Sequence, residues 1–350
     1  MRTPVAPLAL PEPSTLHDGV GRRIEYLRIS LTDRCNFRCV YCMPAHGLPW
    51  IAREALLDDD EIVEVVRQLA PAGLRRLRLT GGEPTLRPGL PALVARLRDV
   101  DGVEDIALST NGVRLPAMAG ALAAAGLDRV NLSADSLRPA RIAAIARRDL
   151  GFHPVHAATA AEAAGLAPIK LNVVVVRGTN DDEVEDFARL TLDHPWHVRF
   201  IELMPVGELA EREAAAGRDP LALVVASDAL LARLRRLGAC VGRPLAADAG
   251  PPRGNGPAAY HRLAGAPGTI GVITPMTHTY CGACNRVRLT ADGRLRTCLY
   301  GDHEVGLRDA LRAGRPLLPL VHEALAAKPA AHALLERRVG GLRALSQVGG

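Results

Sequence analysis

An α/β fold, built on a partial six-unit (β/α) barrel and followed by a C-terminal α+β extension, is what this 350-residue sequence predicts. Three observations predict it. Short runs rich in Val, Ile and Leu alternate with longer amphipathic stretches of helical period. Polar or glycine residues recur at the carboxyl ends of those runs, where barrel enzymes keep their sites, and this favours a partial barrel over a doubly wound sheet. Beyond residue 268 the alternation gives way to a hairpin signal and then helices. An apolar share of 48% supports a sizeable core.

In chain order, residues 1–21 form a leader, 22–245 the core domain and 246–350 the C-terminal domain. The leader is interrupted by Pro4, Pro7, Pro11 and Pro13, so it reads as disordered and not as a signal peptide. Strands are expected at 24–31, 74–80, 105–110, 129–133, 169–176 and 197–204, where β-branched and apolar residues cluster. Helices are expected at 58–70, 88–99, 116–125, 139–148 and 181–192, several opened by Pro or Asp in the first turn. Residues 246–268 are rich in Pro, Gly and Ala without periodicity and read as a linker or meandering connection. The last unit holds Cys281, Cys284 and Cys298, then helical stretches from 307 to about 345. It ends Ser346-Gln347-Val348-Gly349-Gly350.

The net charge of +5 is dispersed among acidic residues, with no basic block, so a small polyanion suits it better than nucleic acid. Aromatics make up only 3%, too few for the stacking platform of a single-strand binder. No apolar run approaches membrane-spanning length, and the expected compartment is the cytoplasm. Almost every cation is Arg; lysine occurs only at Lys170 and Lys328, which singles out Lys170 at the start of an apolar strand. Six of the seven cysteines fall into two tight groups of three, which suits metal thiolates in a reducing compartment better than disulfides. Cys240, alone at the end of an amphipathic stretch, reads as a small buried hydrophobe.

Cys35, Cys39 and Cys42 follow the first strand directly. Three thiols can hold a cubane iron-sulfur cluster with one iron left open, or a zinc ion with a distant fourth ligand. The second strand ends Arg76-Leu77-Arg78-Leu79-Thr80-Gly81-Gly82-Glu83-Pro84, where two glycines permit close backbone approach and the two arginines share a strand face. Ser109 to Gly112 and Asn131 to Ser136 place hydroxyls and amides at the next two strand ends, groups that also commonly cap helices. In the C-terminal unit, Cys284, Arg286 and Arg288 alternate onto one strand face before an Asp292-Gly293 turn that returns through Cys298. A three-residue loop would set Cys298 opposite Arg286. His278 or His303 would complete a zinc knuckle there as the alternative to a cluster.

The C-x3-C-x2-C spacing with Tyr41 before its last cysteine, together with Gly-Gly-Glu-Pro, resembles the radical S-adenosylmethionine enzymes. Both cysteine groups, Arg-Val-Arg after the second and the terminal Gly-Gly resemble, from about Tyr26 to Gly350, the GTP 3′,8-cyclase family of molybdenum cofactor biosynthesis. That resemblance implies a lyase with two 4Fe-4S clusters and S-adenosylmethionine. The catalytic cluster would fall on Cys35, Cys39 and Cys42, and the substrate cluster on Cys281, Cys284 and Cys298. S-adenosylmethionine would contact Tyr41, Gly82, Ser133 and Met204; GTP would contact Arg28, Arg78, Ser109, Lys170, Arg286, Val287 and Arg288. It further implies a 5′-deoxyadenosyl radical that takes the ribose C3′ hydrogen, an electron-donating reductase, a transient contact with cyclic pyranopterin monophosphate synthase and room for a homodimer. Departures are Ala134 where the family usually has Leu, Ser109 where Thr is common and Leu345 where Met is common. Two rival readings are a peptide-modifying radical enzyme with auxiliary clusters, against which the Arg-rich hairpin argues, and an iron-sulfur or zinc module that senses redox state or binds nucleic acid.

Overall fold

The computed structural model describes residues 15–248, 250, 256–332 and 343–349. Its strands are β1 (Tyr26–Ser30), β2 (Arg76–Thr80), β3 (Asp105–Thr110), β4 (Arg129–Ser133), β5 (Lys170–Val175), β6 (His197–Glu202), β7 (Leu245–Ala247), β8 (Ala259–Leu263), β9 (Thr269–Ile273), β10 (Arg286–Leu289), β11 (Arg294–Arg296) and β12 (Glu304–Gly306). Each of the six expected core strands is present, shortened by at most a few residues at its ends. Side chains alternate along them with period two. Leu27, Leu77, Ile106, Val130, Leu171 and Val198 point one way, into the main apolar cluster with the helices. The opposite face carries Arg28, Arg78, Arg129, Lys170 and Arg199, so the inner wall of the sheet is polar and basic.

β1 to β6 pair in sequence order, all parallel. The helices between them give each parallel connection its crossover. One of these, Asp59–Leu69, opens with a full capping box between Asp58 and Glu61. Two further strands extend the parallel set: β10 lies beside β1 and β9 beside β6. Antiparallel β11 and β12 continue one side, β8 and β7 the other, giving one twelve-stranded mixed sheet. Chain from beyond residue 245 therefore borders the six-strand core on both edges.

Three expectations are corrected, and one helix lies outside them. Residues 15–21, placed in the leader, are packed: Leu16 is 2% exposed, and its N–H donates to Ala72 O. Residues 1–14 lie outside the described residues. The stretch 246–268 is not wholly a linker, because β8 pairs antiparallel with β9 and contributes buried Tyr260 and Leu263. Its Pro- and Gly-rich flank hid a strand. A helix at Pro154–Ala163 adds to the expected set; eight of its ten residues are Ala or other small or polar types that give no amphipathic contrast. Cys240 is exposed, not buried, because it ends the helix Ser227–Cys240 a turn beyond Leu237, the last apolar residue of its buried stripe. Among the described residues no helix is long and apolar enough to cross a membrane.

Candidate active site

The loop after β1 carries Cys35, Cys39 and Cys42, all unpaired thiols. It is held against the end of β2 by main-chain bonds from Gly82 N to Thr32 O (2.7 Å) and from Glu83 N to Arg34 O (2.7 Å). A Cβ at Gly82 would collide with Arg34 O, and one at Gly81, whose φ is +149°, would meet Thr32 O at 2.5 Å. The paired glycines thus let the cysteine loop close onto the sheet. Glu83 is buried and accepts from Thr85, Thr110 and the N–H of Asn111, tying the ends of β2 and β3 together.

A cavity of about 240 Å³ opens above these strand ends. The three thiols line it together with Tyr41, Gly82, Ser133 and Met204, which brings all the expected S-adenosylmethionine contacts to one place. Ser109 lines it as well. Burial pushes the Cys35 thiol up to about 11 and Cys42 to about 12, and holds Cys39 well above its ordinary value. Ionising this group needs a cation among the sulfurs, as iron would provide. Tyr41 donates its hydroxyl proton to Asp135, whose other oxygen accepts from Val174 N at 2.9 Å. Burial raises Asp135 to about 6. Asp135 was not singled out from the sequence; its place after Ser133 on a strand end was the available signal.

Behind the cavity stands the basic wall. Register sets Arg288, Arg28 and Arg78 side by side across β10, β1 and β2. Lys170 pairs with Asn131 of β4 and His197 of β6. Arg78 is 4% exposed; its Nη1 donates to Ser109 Oγ at 3.2 Å, while its buried Nε has no acceptor among the described residues. Burial lowers Arg78 to about 10, and burial with the neighbouring Arg199, Arg129 and Arg78 lowers Lys170 to about 6. Buried like charges oppose one another, so this wall suits a polyanion that would relieve the repulsion. Arg129 is neutralised by Asp105, and Arg76, which shares Arg78's strand face, pairs with Glu25 at 2.9 Å. Arg199 belongs to the wall and donates to Asn172 Oδ1 at 2.8 Å. The alternation of β6 could have revealed Arg199, but only the register shows that it faces Lys170's neighbours.

The hairpin forms as expected. Arg288 pairs with Arg296, and Thr290 N bonds to Arg294 O across a loop of residues 291–293. Val287 alternates away from the arginines into the apolar cluster, 3% exposed, so only its main chain can meet a ligand on the wall side. Cys281, Cys284 and Cys298 are free thiols around this hairpin. Burial raises the Cys284 thiol, but Arg286 and Lys328 outweigh it and leave Cys284 below its ordinary value. The C-terminal tail enters between the two cysteine groups. Leu345 and Ser346 line the first cavity, Val348 is 2% exposed, and Arg288 Nη1 donates to Gly349 O. Gly350 lies outside the described residues.

A tetrahedral zinc takes four ligands about one ion, whereas a cubane spreads three thiolates over three irons, which is the donor set each cysteine group supplies. His278 and His303 are both exposed, and His278 approaches Asp228 instead.

Residues 29–191 match the Radical SAM superfamily and residues 196–334 match Molybdenum Cofactor Synthesis C. The chain is 47% identical over 337 residues to the GTP 3′,8-cyclase of Heliobacterium modesticaldum, covering 95% of this chain and 99% of that one. It is 45% identical over 338 residues to the GTP 3′,8-cyclase of Moorella thermoacetica, covering 96% and 100%. Among solved structures it is similar to Streptococcus suis SuiB bound to S-adenosylmethionine, with a TM-score of 0.58 at 13% identity over 91% of this chain and 72% of that chain. That last likeness concerns the fold alone.

Proposed function

The chain belongs to the GTP 3′,8-cyclase family, and from that premise we propose that the thiol cavity and the basic wall are two halves of one active site. It is a radical S-adenosylmethionine lyase that cyclises GTP to (8S)-3′,8-cyclo-7,8-dihydroguanosine 5′-triphosphate, the first step of molybdenum cofactor biosynthesis. When bound, two 4Fe-4S clusters and S-adenosylmethionine supply the 5′-deoxyadenosyl radical that takes the ribose C3′ hydrogen and an open iron that receives guanine. Ser109 carries the reading, because it lines the thiol cavity and also accepts from Arg78, so the two halves share a wall.

In this reading Cys35, Cys39 and Cys42 hold the catalytic cluster, and Tyr41, Gly82, Ser133 and Met204 seat S-adenosylmethionine. Cys281, Cys284 and Cys298 hold the substrate cluster. Arg28, Arg78, Lys170, Arg286 and Arg288 anchor the triphosphate through charge-assisted hydrogen bonds, with Arg199 joining them and Val287 contributing main chain. Ser109 orients Arg78. The work of these residues is positional: holding guanine at one end and its ribose toward the other lowers the barrier by orientation. The core, 22–245, carries the radical chemistry and 246–350 the substrate cluster, in the cytoplasm, with a reductase as electron donor, handover to cyclic pyranopterin monophosphate synthase and a homodimer as an allowed assembly. The decisive experiment is metal analysis of anaerobically reconstituted protein, which should hold about eight irons per chain. About four irons with one zinc would refute the paired-cluster site.

Lys170 makes GTP binding proton-linked. Its folded-state value of about 6 leaves it mostly neutral at pH 8 in the free protein, and a triphosphate beside it favours the charged form. Binding therefore takes up a proton, and affinity falls as pH rises above the free-state value. Calorimetry at pH 8 in buffers of different ionisation enthalpy should show uptake of about one proton, since a phosphate with its second pKa near 6 is already ionised there. Lys170→Met should abolish the uptake, and equal uptake in both proteins would count against the assignment.

A further inference from the structure

Two cations outside the substrate wall brace the second cysteine group. Lys328, just past the helix Leu318–Ala326, is 5% exposed and turns its ammonium into the hairpin. Its Nζ donates to Cys284 Sγ (3.6 Å), to Arg286 O (3.1 Å) and to Thr297 O. An ammonium has three donors and no acceptor, and here they are spent on one thiol sulfur and on main-chain carbonyls from both hairpin strands. Those carbonyls sit beside Cys284 and Cys298.

In a chain that otherwise uses Arg for its cations, this position is one of only two lysines. The chemistry explains the choice, because a planar guanidinium fork cannot converge on three acceptors arranged about one point as a compact ammonium can. The neighbouring carbonyls are clamped separately. Arg22 Nη1 donates to Cys281 O (2.6 Å) and Ala330 O (2.9 Å), and Nη2 donates to Pro329 O (2.7 Å). Asp18 fixes that guanidinium through Nε at 2.6 Å. The turn at 18–22 and the segment at 328–330 thus grip both segments of chain that bear the second thiols.

We propose that Lys328 is a positioning residue of the second cluster: it locks Cys284 to both hairpin strands and, as a cation hydrogen-bonded to a ligand sulfur, raises that cluster's reduction potential. Hydrogen bonds and charge at the sulfurs are among the determinants of such potentials. A positive group there stabilises the reduced, more negative state. The inference rests on Cys281, Cys284 and Cys298 being cluster ligands.

Full-length protein, reconstituted anaerobically, is assayed first for metal. About four irons with zinc would overturn the cluster reading, and the proposal with it, before any variant is made. With both clusters present, a potentiometric titration followed by electron paramagnetic resonance compares wild type, Lys328→Met and Lys328→Arg, with the first cluster as internal reference. Lys328→Met should lower the reduced-to-oxidised ratio of the second cluster at least tenfold at fixed poise, a shift of 59 mV for one electron. The first cluster should not move, and Lys328→Arg, which keeps the charge, should recover most of the shift. Selective loss of the second cluster in both variants, with the first cluster retained, would equally support positioning, because Arg keeps the charge without the three-acceptor lock. An unchanged second potential, movement of both clusters together, or loss of both clusters would overturn it.

Discussion

Cys35→Ala should abolish reductive cleavage of S-adenosylmethionine and halve the iron content from about eight to about four per chain. The three thiols of the first group are brought together by a loop stitched to the end of β2 through Gly82 and Glu83. Removing one sulfur leaves the scaffold intact but strips a ligand from a buried site where no other thiol can replace it. The only remaining unclustered cysteine, Cys240, is exposed on a helix end. Cys240→Ala is therefore the matched control and should leave iron content and 5′-deoxyadenosine production unchanged. Cleavage at the normal rate in Cys35→Ala would show that the catalytic cluster lies elsewhere.

Deleting Gly349 and Gly350 should spare folding, both clusters and basal S-adenosylmethionine cleavage, yet strongly reduce conversion of GTP to the cyclised nucleotide. Chain ends are usually frayed and tolerant of loss, but this one is built in. Ser346 and Val348 are buried, and Arg288 donates to the carbonyl of Gly349. Gly349 has φ +69°, a left-handed conformation open to glycine, and a Cβ there would meet Thr80 Cγ2 at 2.5 Å. Gly349→Val should then act like the deletion by driving the tail from between β2 and the hairpin. Ser346, which lines the thiol cavity with Cys42, survives in both variants and neither change touches a cysteine, so the first cluster should persist. The readout is cyclised product per S-adenosylmethionine cleaved; an unaltered ratio and rate would reduce the tail to a passive end.

Much of the site could be read locally because its chemistry is local. Cysteine spacing in one loop, glycines where backbones must touch, and a hairpin whose Asp-Gly turn sets Arg286 and Arg288 on one face are each decided within a few residues. The six parallel strands were readable for the same reason: period-two alternation between Leu27 and Arg28, or Leu77 and Arg78, is a property of consecutive residues. Where local contrast was weak, reading failed, as in the Ala-rich helix Pro154–Ala163 and the strand β8 beyond a Pro- and Gly-rich stretch.

What the amino-acid sequence determined by itself, then, is the repeat, the two thiol triplets and the identity of the cations. Tertiary structure alone decided how they meet. That β10 docks in parallel on β1, setting Arg288 beside Arg28, follows from an open sheet edge whose main-chain groups must find partners and from Val287 and Leu289 completing the apolar layer. That Arg199 joins the wall depends on the register between β5 and β6. The turn at 18–22 and Lys328 reach the second cysteines for a similar reason: residues distant in the chain are brought together by burial of Leu16 and Leu325 in one core, and no short-range pattern encodes such a contact.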